Sequence, residues 1–464
     1  MEQRRQRETL ASRLGFILLS AGCAIGLGNV WRFPFITGKY GGAAFVLVYL
    51  LFLVIFGLPI MVMEFAIGRA SKQNIGLALK TLEPKGTKWH VYGPVAVAGN
   101  YVLMMFYTSV SGWLFYYVYA MLSGKLRGLD PDAVGAFFGG MLSSPGTMIF
   151  WMILAVLLGM GICAIGLRKG VERITKIMMM LLFVIMLLLV IKAISLPGAS
   201  KGLAFYLLPD FSRFVEAGFW DAVYAAMGQA FFTLSLGIGS MAIFGSYINK
   251  DRSLTGESIH IIALDTSVAL LSGLIIFPAS FAYNINPGAG PSLIFITLPN
   301  IFNAMTAGGI WGALFFIFLS FAALSTLVSV FENIISYWID VKGWSRRKAV
   351  AVNIVALIAL SLPCVLGFNK WSAFQPFGPE TGILDLEDFI VSSTLLPLGS
   401  LIFLFFCCSK RGWGWKNFKA EADTGKGIKF PAWARVYVTY IVPVIVLIVF
   451  FMGYWNIFSP LLKG

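Results

Sequence analysis

The stretch AGCAIGLGNVWRFP, residues 21–34, sets Gly22, Gly26, Gly28, Asn29 and Arg32 into a strongly apolar run. Glycines beside a bare amide in such a run favour a helix that comes apart. The break frees backbone carbonyls at a depth where no water can bond them. Freed carbonyls are oxygen ligands, the kind that hard cations take. Other oxygens occur in apolar runs of the chain: the carboxylates of Glu64, Asp265 and Glu332, and the hydroxyls of Ser325 and Thr326 in SFAALSTLVS. An acid at the bilayer centre costs about 2.5–3.5 kcal/mol, which makes each of the three a functional candidate. Asp265, with no basic neighbour in sequence, either takes up a proton or finds a cation. Ser325 and Thr326 by themselves suit helix–helix hydrogen bonds, and Gly22 with Gly26 suits close helix packing. Combined with free carbonyls, the hydroxyls make a neutral oxygen cage. The chemistry on offer is the binding of ions and solutes.

A second stretch, GQAFFTLSLGIGS at 228–240, places Gly237 and Gly239 after Thr233 and Ser235. The two clusters fall in the first and sixth of the spans given below, so a repeat of five spans puts them in corresponding positions. An odd number of spans per repeat gives the two halves opposite orientation. Glycine-broken helices at matching places of inverted halves point to a transporter's central site.

The elements that must position these residues follow from composition. Of 464 residues 58% are hydrophobic and 12% charged, and the mean hydropathy is +0.83. Soluble proteins carry about twice that charge. The chain therefore reads as an all-α polytopic membrane protein with a single transmembrane domain. Its expected spans are 13–38, 42–70, 90–123, 147–167, 172–196, 219–248, 257–285, 309–340, 347–368, 387–408 and 433–457. Within that domain 1–12 is an amino-terminal tail, 13–196 the first five-helix repeat, 219–408 the second, and 433–457 an eleventh helix. No cleavable signal peptide is expected.

The net charge of +14 is a topology signal. With the amino terminus in the cytoplasm, most Lys and Arg fall on that side, among them Arg4, Arg5, Arg168, Arg173, Arg346, Arg347 and Lys348. That asymmetry predicts a multi-pass protein of the plasma (inner) membrane, amino terminus in and carboxyl terminus out, with the lipid bilayer and not nucleic acid as its partner. The five cysteines lack metal-ligand spacing and read as small buried hydrophobes. The motifs HExxH, GxSxG and GxxxxGK[ST] do not occur, and no enzyme activity is expected.

The residues together resemble the neurotransmitter:sodium symporters, in particular the bacterial amino-acid members with the leucine-transporter fold. SRLGF, GLGNVWRFPF, GGAAFVLVY, GLPIMVMEFAIGR, GQAFFTLSLGIG, SYINKD, FITLP and FAALST occur in family order across nearly the whole chain. The resemblance implies two sodium ions carried with the substrate. One would be held by the Ala24 carbonyl, Asn29, Thr233 and Asp265, the other by carbonyls of Gly22, Ile25 and Ala322 with the hydroxyls of Ser325 and Thr326. It implies a substrate site at Ala24, Gly26, Gly28, Tyr107, Thr233 and Ser325, with Leu103, Phe232, Ser235, Ile238 and Val330 around the side chain. Tyr107 would hold the substrate carboxylate.

Monoamine-carrying members have aspartate where this chain has Gly26, so a neutral hydrophobic L-amino acid is implied, with Gly237 and Gly239 leaving room for an aromatic one. Arg32 and Asp388 would form an outer gate, and Arg7 and Asp340 with Ser246 and Tyr247 an inner one. Three departures carry consequences. Ala269 replaces a chloride-site serine while Asp265 supplies a fixed carboxylate, although Tyr49 and Gln229 of that site are present; chloride-independent transport is expected. Leu10 replaces a tryptophan of the amino-terminal plug. Eleven spans, not twelve, leave the chain a monomer or a weak homodimer. Alternatives are a proton-coupled carrier working through Asp265 or Glu332, and a receptor of the same fold that binds without transport.

Overall fold

A computed structural model describes residues 8–283 and 293–463, with side chains through residue 459. Among the described residues nine helices are long and apolar enough to cross a bilayer unaided: Ala43–Ser71, Trp89–Leu122, Pro145–Ala164, Leu167–Ile194, Leu254–Ala282, Gly308–Lys342, Arg346–Gly367, Ile383–Cys408 and Ala434–Ser459. A tenth is a bent pair, Arg13–Ala24 and Gly28–Lys39, whose halves meet at 57°. The eleventh is Phe219–Thr233 with Ser240–Ser246, again in two pieces. In chain order the broken spans are the first and the sixth, where the glycine clusters lie. The described chain is a multi-pass membrane protein.

Local chemistry explains where the helices distort. Wide π-helical turns occupy Gly28–Arg32, Leu53–Gly57, Leu293–Thr297, Phe389–Leu395 and Tyr437–Ile441. Each of these five is followed within two residues by a proline, at Pro34, Pro59, Pro299, Pro397 and Pro443, whereas a sixth such turn, Leu167–Glu172, has no proline after it and follows Gly166. A proline lacks the N–H for the i→i−4 bond and its ring crowds that carbonyl, so the preceding turn opens. Among the nine unbroken spans the third and eighth, Trp89–Leu122 and Gly308–Lys342, are the most deeply buried and pack against each other. The last span is the most peripheral.

The carboxyl-terminal half of the sixth span, Ser240–Ser246, is clamped by the second. A Cβ on Gly68 would lie 1.8 Å from the Ala242 carbonyl oxygen, and one on Gly245 would lie 2.4 Å from that of Phe65. Only glycine lets the two backbones approach this closely, the usual device of helix contacts in lipid. The ion pairs Arg13–Glu257, Arg69–Glu421 and Arg346–Glu332 tie the first, second and ninth spans to their neighbours.

Candidate functional site

The first span stops being helical at Ala24 and resumes at Gly28. Behind that break stands a buried polar group drawn from three spans. Asn29 donates through Nδ2 to Oδ1 of Asp265 at 2.8 Å and to its backbone carbonyl at 3.1 Å. The Asn29 Oδ1 accepts from the Gly26 N–H at 3.1 Å, and Thr233 Oγ1 donates to Asp265 Oδ2 at 3.1 Å. Asn29 and Asp265 are wholly buried and Thr233 nearly so. Among the described residues no Lys or Arg forms an ion pair with Asp265.

A second polar group joins the other side of the break to the eighth span. Thr326 Oγ1 lies 3.3 Å from the Gly22 carbonyl, 3.2 Å from that of Ile25 and 3.4 Å from that of Ala322. Ser325 donates to the Ala322 carbonyl at 2.9 Å. Three carbonyl and two hydroxyl oxygens thus converge, all neutral. Gln229 donates to the Gly28 carbonyl at 2.8 Å and Ser272 to that of Asn29 at 2.8 Å, so the outer half-helix is held from the sixth and seventh spans.

Between the two groups lies a cavity lined by Ala24, Gly26, Gly28, Leu103, Tyr107, Phe232, Ser235, Ile238 and Thr326. The Tyr107 hydroxyl accepts from the Leu27 N–H at 3.2 Å. Gly26 permits this geometry, because a Cβ there would sit 2.6 Å from the Tyr107 oxygen and 2.8 Å from that of Thr326. Ser235 adopts φ +50° without being glycine, a strained conformation of the kind that collects at functional sites.

The cavity lining differs from the expected set of substrate residues. Val330, Ser325 and Thr233 do not line the cavity; Val330 is packed inside the core and the other two belong to the polar groups on either side. Cys23, Leu27, Val391 and Leu396 do line it, and nothing in their types announces it. Gly237 and Gly239 leave no room for a side chain: a Cβ on the first would lie 2.2 Å from the Leu396 carbonyl oxygen, and on the second 2.6 Å from Ile75. They have φ of +103° and +73°, so they serve the turn and the close packing.

Arg32 and Asp388, expected as an outer gate, do not form an ion pair. The Arg32 guanidinium stands over the Phe232 ring, 4.7 Å from its centroid, while Asp388 accepts from Ser392 at 2.6 Å. At the inner end Arg7 lies outside the described residues. Asp340 accepts from the Asn74 N–H at 2.8 Å, and the Ser246 hydroxyl turns back onto its own helix at the Ile243 carbonyl. Tyr247 donates from its hydroxyl to Glu332 at 2.8 Å, and its carbonyl accepts from the Leu10 N–H at 3.2 Å.

The other acids acquire partners. Glu332 pairs with Arg346 through two bonds of 2.6 and 2.9 Å, so a buried carboxylate ties the eighth span to the ninth and, through Tyr247, to the sixth. Glu64 accepts from the Gly237 and Met241 N–H groups at 2.5 and 3.3 Å, capping the inner half of the sixth span. A chain of buried amides runs downward from the second break. Asn100 donates to the Ile238 carbonyl at 3.0 Å, Asn333 to Asn100 at 3.0 Å, and Asn74 to Asn333 at 2.7 Å.

The sequence pattern described as the "Sodium:neurotransmitter symporter family" matches residues 7–129 and 138–462. The chain belongs to that family. Its members are sodium-coupled transporters, not enzymes. A crystal structure of MhsT in complex with L-phenylalanine superposes with a TM-score of 0.86 at 39% identity, covering 97% of this chain and 100% of MhsT. The architecture is thus the leucine-transporter fold. The uncharacterized sodium-dependent transporter YhdH of Bacillus subtilis is 33% identical over 95% of this chain and 96% of its own length. The sodium-dependent serotonin transporter of Drosophila melanogaster is 26% identical over 97% of this chain and 77% of its own length.

Proposed function

We propose that this member of the family carries a neutral, hydrophobic L-amino acid, aromatic ones included, into the cell together with two sodium ions and without chloride. The observation that carries the reading is the pairing of two oxygen clusters across one helix break. The carboxyl end of the inner half-helix is partially negative and suits cations, while the amino end of the outer half is partially positive and suits a carboxylate. One sodium would lie among the Ala24 carbonyl, Asn29, Thr233 and Asp265, whose charge would balance it. The other would lie among the carbonyls of Gly22, Ile25 and Ala322 and the hydroxyls of Ser325 and Thr326. Sodium entering either cluster displaces the hydrogen bonds that now satisfy those oxygens.

The substrate carboxylate would meet Tyr107 and the Leu27–Gly28 backbone, and its side chain would lie against Leu103, Phe232 and Ile238. Gly26 leaves no counter-charge for an amine lacking a carboxylate, which favours an amino acid over a monoamine. The L-phenylalanine in MhsT supports the same class. Because Asp265 already provides a negative charge, a chloride ion beside Tyr49 and Gln229 is unnecessary.

Alternating access would follow from rocking of a helix bundle around the site, with Arg32 and Asp388 closing outside. Arg7, Asp340, Ser246 and Tyr247 would close the inner side. The amino terminus would face the cytoplasm of a plasma (inner) membrane, and the chain would act as a monomer or weak homodimer. The test is uptake of tritiated neutral amino acids into proteoliposomes under an inward sodium gradient. Uptake that persists when chloride is replaced by gluconate and stops when sodium is replaced by potassium is expected. Uptake driven by a pH gradient without sodium would overturn the reading in favour of proton coupling.

A further inference from the structure

We infer that Val391, anchored by its neighbour Leu396, is the residue that measures the size of the substrate side chain; this rests on the reading of the cavity as the site of a hydrophobic amino acid. The glycines of the sixth-span break cannot set that size, since the space beside them is filled by Leu396 and Ile75. The cavity wall that remains adjustable comes from the tenth span, where Val391 and Leu396 join Leu103 and Ile238. Val391 is wholly buried, so its side chain has no place in lipid or water. It belongs to the wide turn Phe389–Leu395 that precedes Pro397. Such turns re-aim side chains and recur at functional sites.

The wall is held rigidly. The Leu396 carbonyl lies where any Cβ on Gly237 would collide with it, and a Cβ on Gly399 would lie 2.0 Å from the Gly237 carbonyl oxygen. That same carbonyl accepts from the Tyr92 hydroxyl at 2.7 Å. A Cβ on Gly99 would stand 3.0 Å from both Ile238 and Leu395, so the third, sixth and tenth spans have no slack at this height. With the backbone registered this tightly, a change of volume at Val391 is felt by the substrate instead of being absorbed by movement of the helix. In a close-packed interior even one methylene is felt.

The test is competition of tritiated L-phenylalanine uptake by alanine, valine, leucine, phenylalanine and tryptophan in Val391→Ala, Val391→Ile and Val391→Phe. A methylene more or less in an apolar pocket shifts discrimination about 10-fold or more. Val391→Ala is expected to favour tryptophan over valine by about 10-fold relative to the native chain, and Val391→Ile to move the ratio the other way. Val391→Phe, followed directly with tritiated alanine and tritiated phenylalanine, is expected to lose the aromatic substrate while keeping alanine. A tryptophan-to-valine ratio that stays within about twofold of the native value in both Val391→Ala and Val391→Ile, with robust uptake, overturns the inference and leaves the proposed function standing. A native chain that carries none of these amino acids overturns the proposed function itself. Val391→Ala and Val391→Ile change little volume, so the result holds even where Val391→Phe does not fold.

Discussion

One amide nitrogen of Asn29 bonds both the carboxylate and the backbone carbonyl of Asp265, at 2.8 and 3.1 Å. The pair spans the first and seventh helices, and it places directly behind the first break a carboxyl group that no Lys or Arg pairs among the described residues. A buried charge with no counter-ion is costly by several kcal/mol, and a bound cation offsets that cost. Asp265→Ala is therefore expected to weaken sodium-stimulated binding by at least about 10-fold, roughly 1.4 kcal/mol. The readout is a sodium titration at constant ionic strength. Thr233→Val, which removes one donor to the same carboxylate, is expected to weaken it less.

Thr326 makes the second cluster testable separately. Its hydroxyl lies within 3.2–3.4 Å of three carbonyls. Thr326→Ser keeps the oxygen and is expected to bind sodium within about threefold of the native chain, whereas Thr326→Ala is expected to lose about 10-fold. The lost hydrogen bonds also cost about 1 kcal/mol of stability. A thermal melt without sodium isolates that part, and the difference between the two variants in sodium isolates the ligand role.

Gly26 fixes how close Tyr107 and Thr326 come. A Cβ at 2.6 Å from one oxygen and 2.8 Å from the other forces them apart. Gly26→Ala is expected to lose more than about 10-fold in amino-acid affinity while eluting as a folded, monodisperse protein. Affinity retained within about threefold would show that the substrate does not depend on this close approach.

Glu332 and Arg346 form a buried ion pair that would hold the proposed inner gate closed. Removing one member of a buried pair leaves the other uncompensated and costs about 3–5 kcal/mol. Glu332 is wholly buried and Arg346 is about one-fifth exposed, so the lower end of that range applies to Glu332→Gln. Cys163 is the reporter: it is buried, and its carbonyl accepts from Arg346 at 3.3 Å. With the other four cysteines replaced by alanine, Glu332→Gln is expected to speed maleimide labelling of Cys163 several-fold. Unchanged labelling would mean the pair does not hold the inner end closed.

The parts legible in the sequence are those where a residue type contradicts its surroundings. Asn29 and three glycines in an apolar run announce a break, and the helix does stop at Ala24 and resume at Gly28. Asp265, Ser325 and Thr326 stand out against apolar neighbours for the same reason. Val391 and Leu396 do not, because an apolar residue in an apolar span carries no mark of the face it occupies. Glu332 was visible as a buried acid, but its partner Arg346 lies on the next span and is met only after the chain turns. Gly237 and Gly239 were legible as glycines and misleading as space, since emptiness at a Cβ position depends on what packs against it. Arg32 and Asp388 mark an outer pair by type, and their separation is a matter of which way each side chain turns, toward Phe232 and toward Ser392.

The proposed chemistry is the joint binding of sodium and an amino acid by two oxygen clusters on one broken helix. Its most direct test is equilibrium binding of tritiated L-phenylalanine to the purified chain, titrated with sodium against potassium, in the native protein and in Asp265→Ala and Thr326→Ala. Saturable, cooperative dependence on sodium is expected, weakened in each variant. Binding of the same affinity in sodium and potassium, or variants that titrate like the native chain, would contradict it.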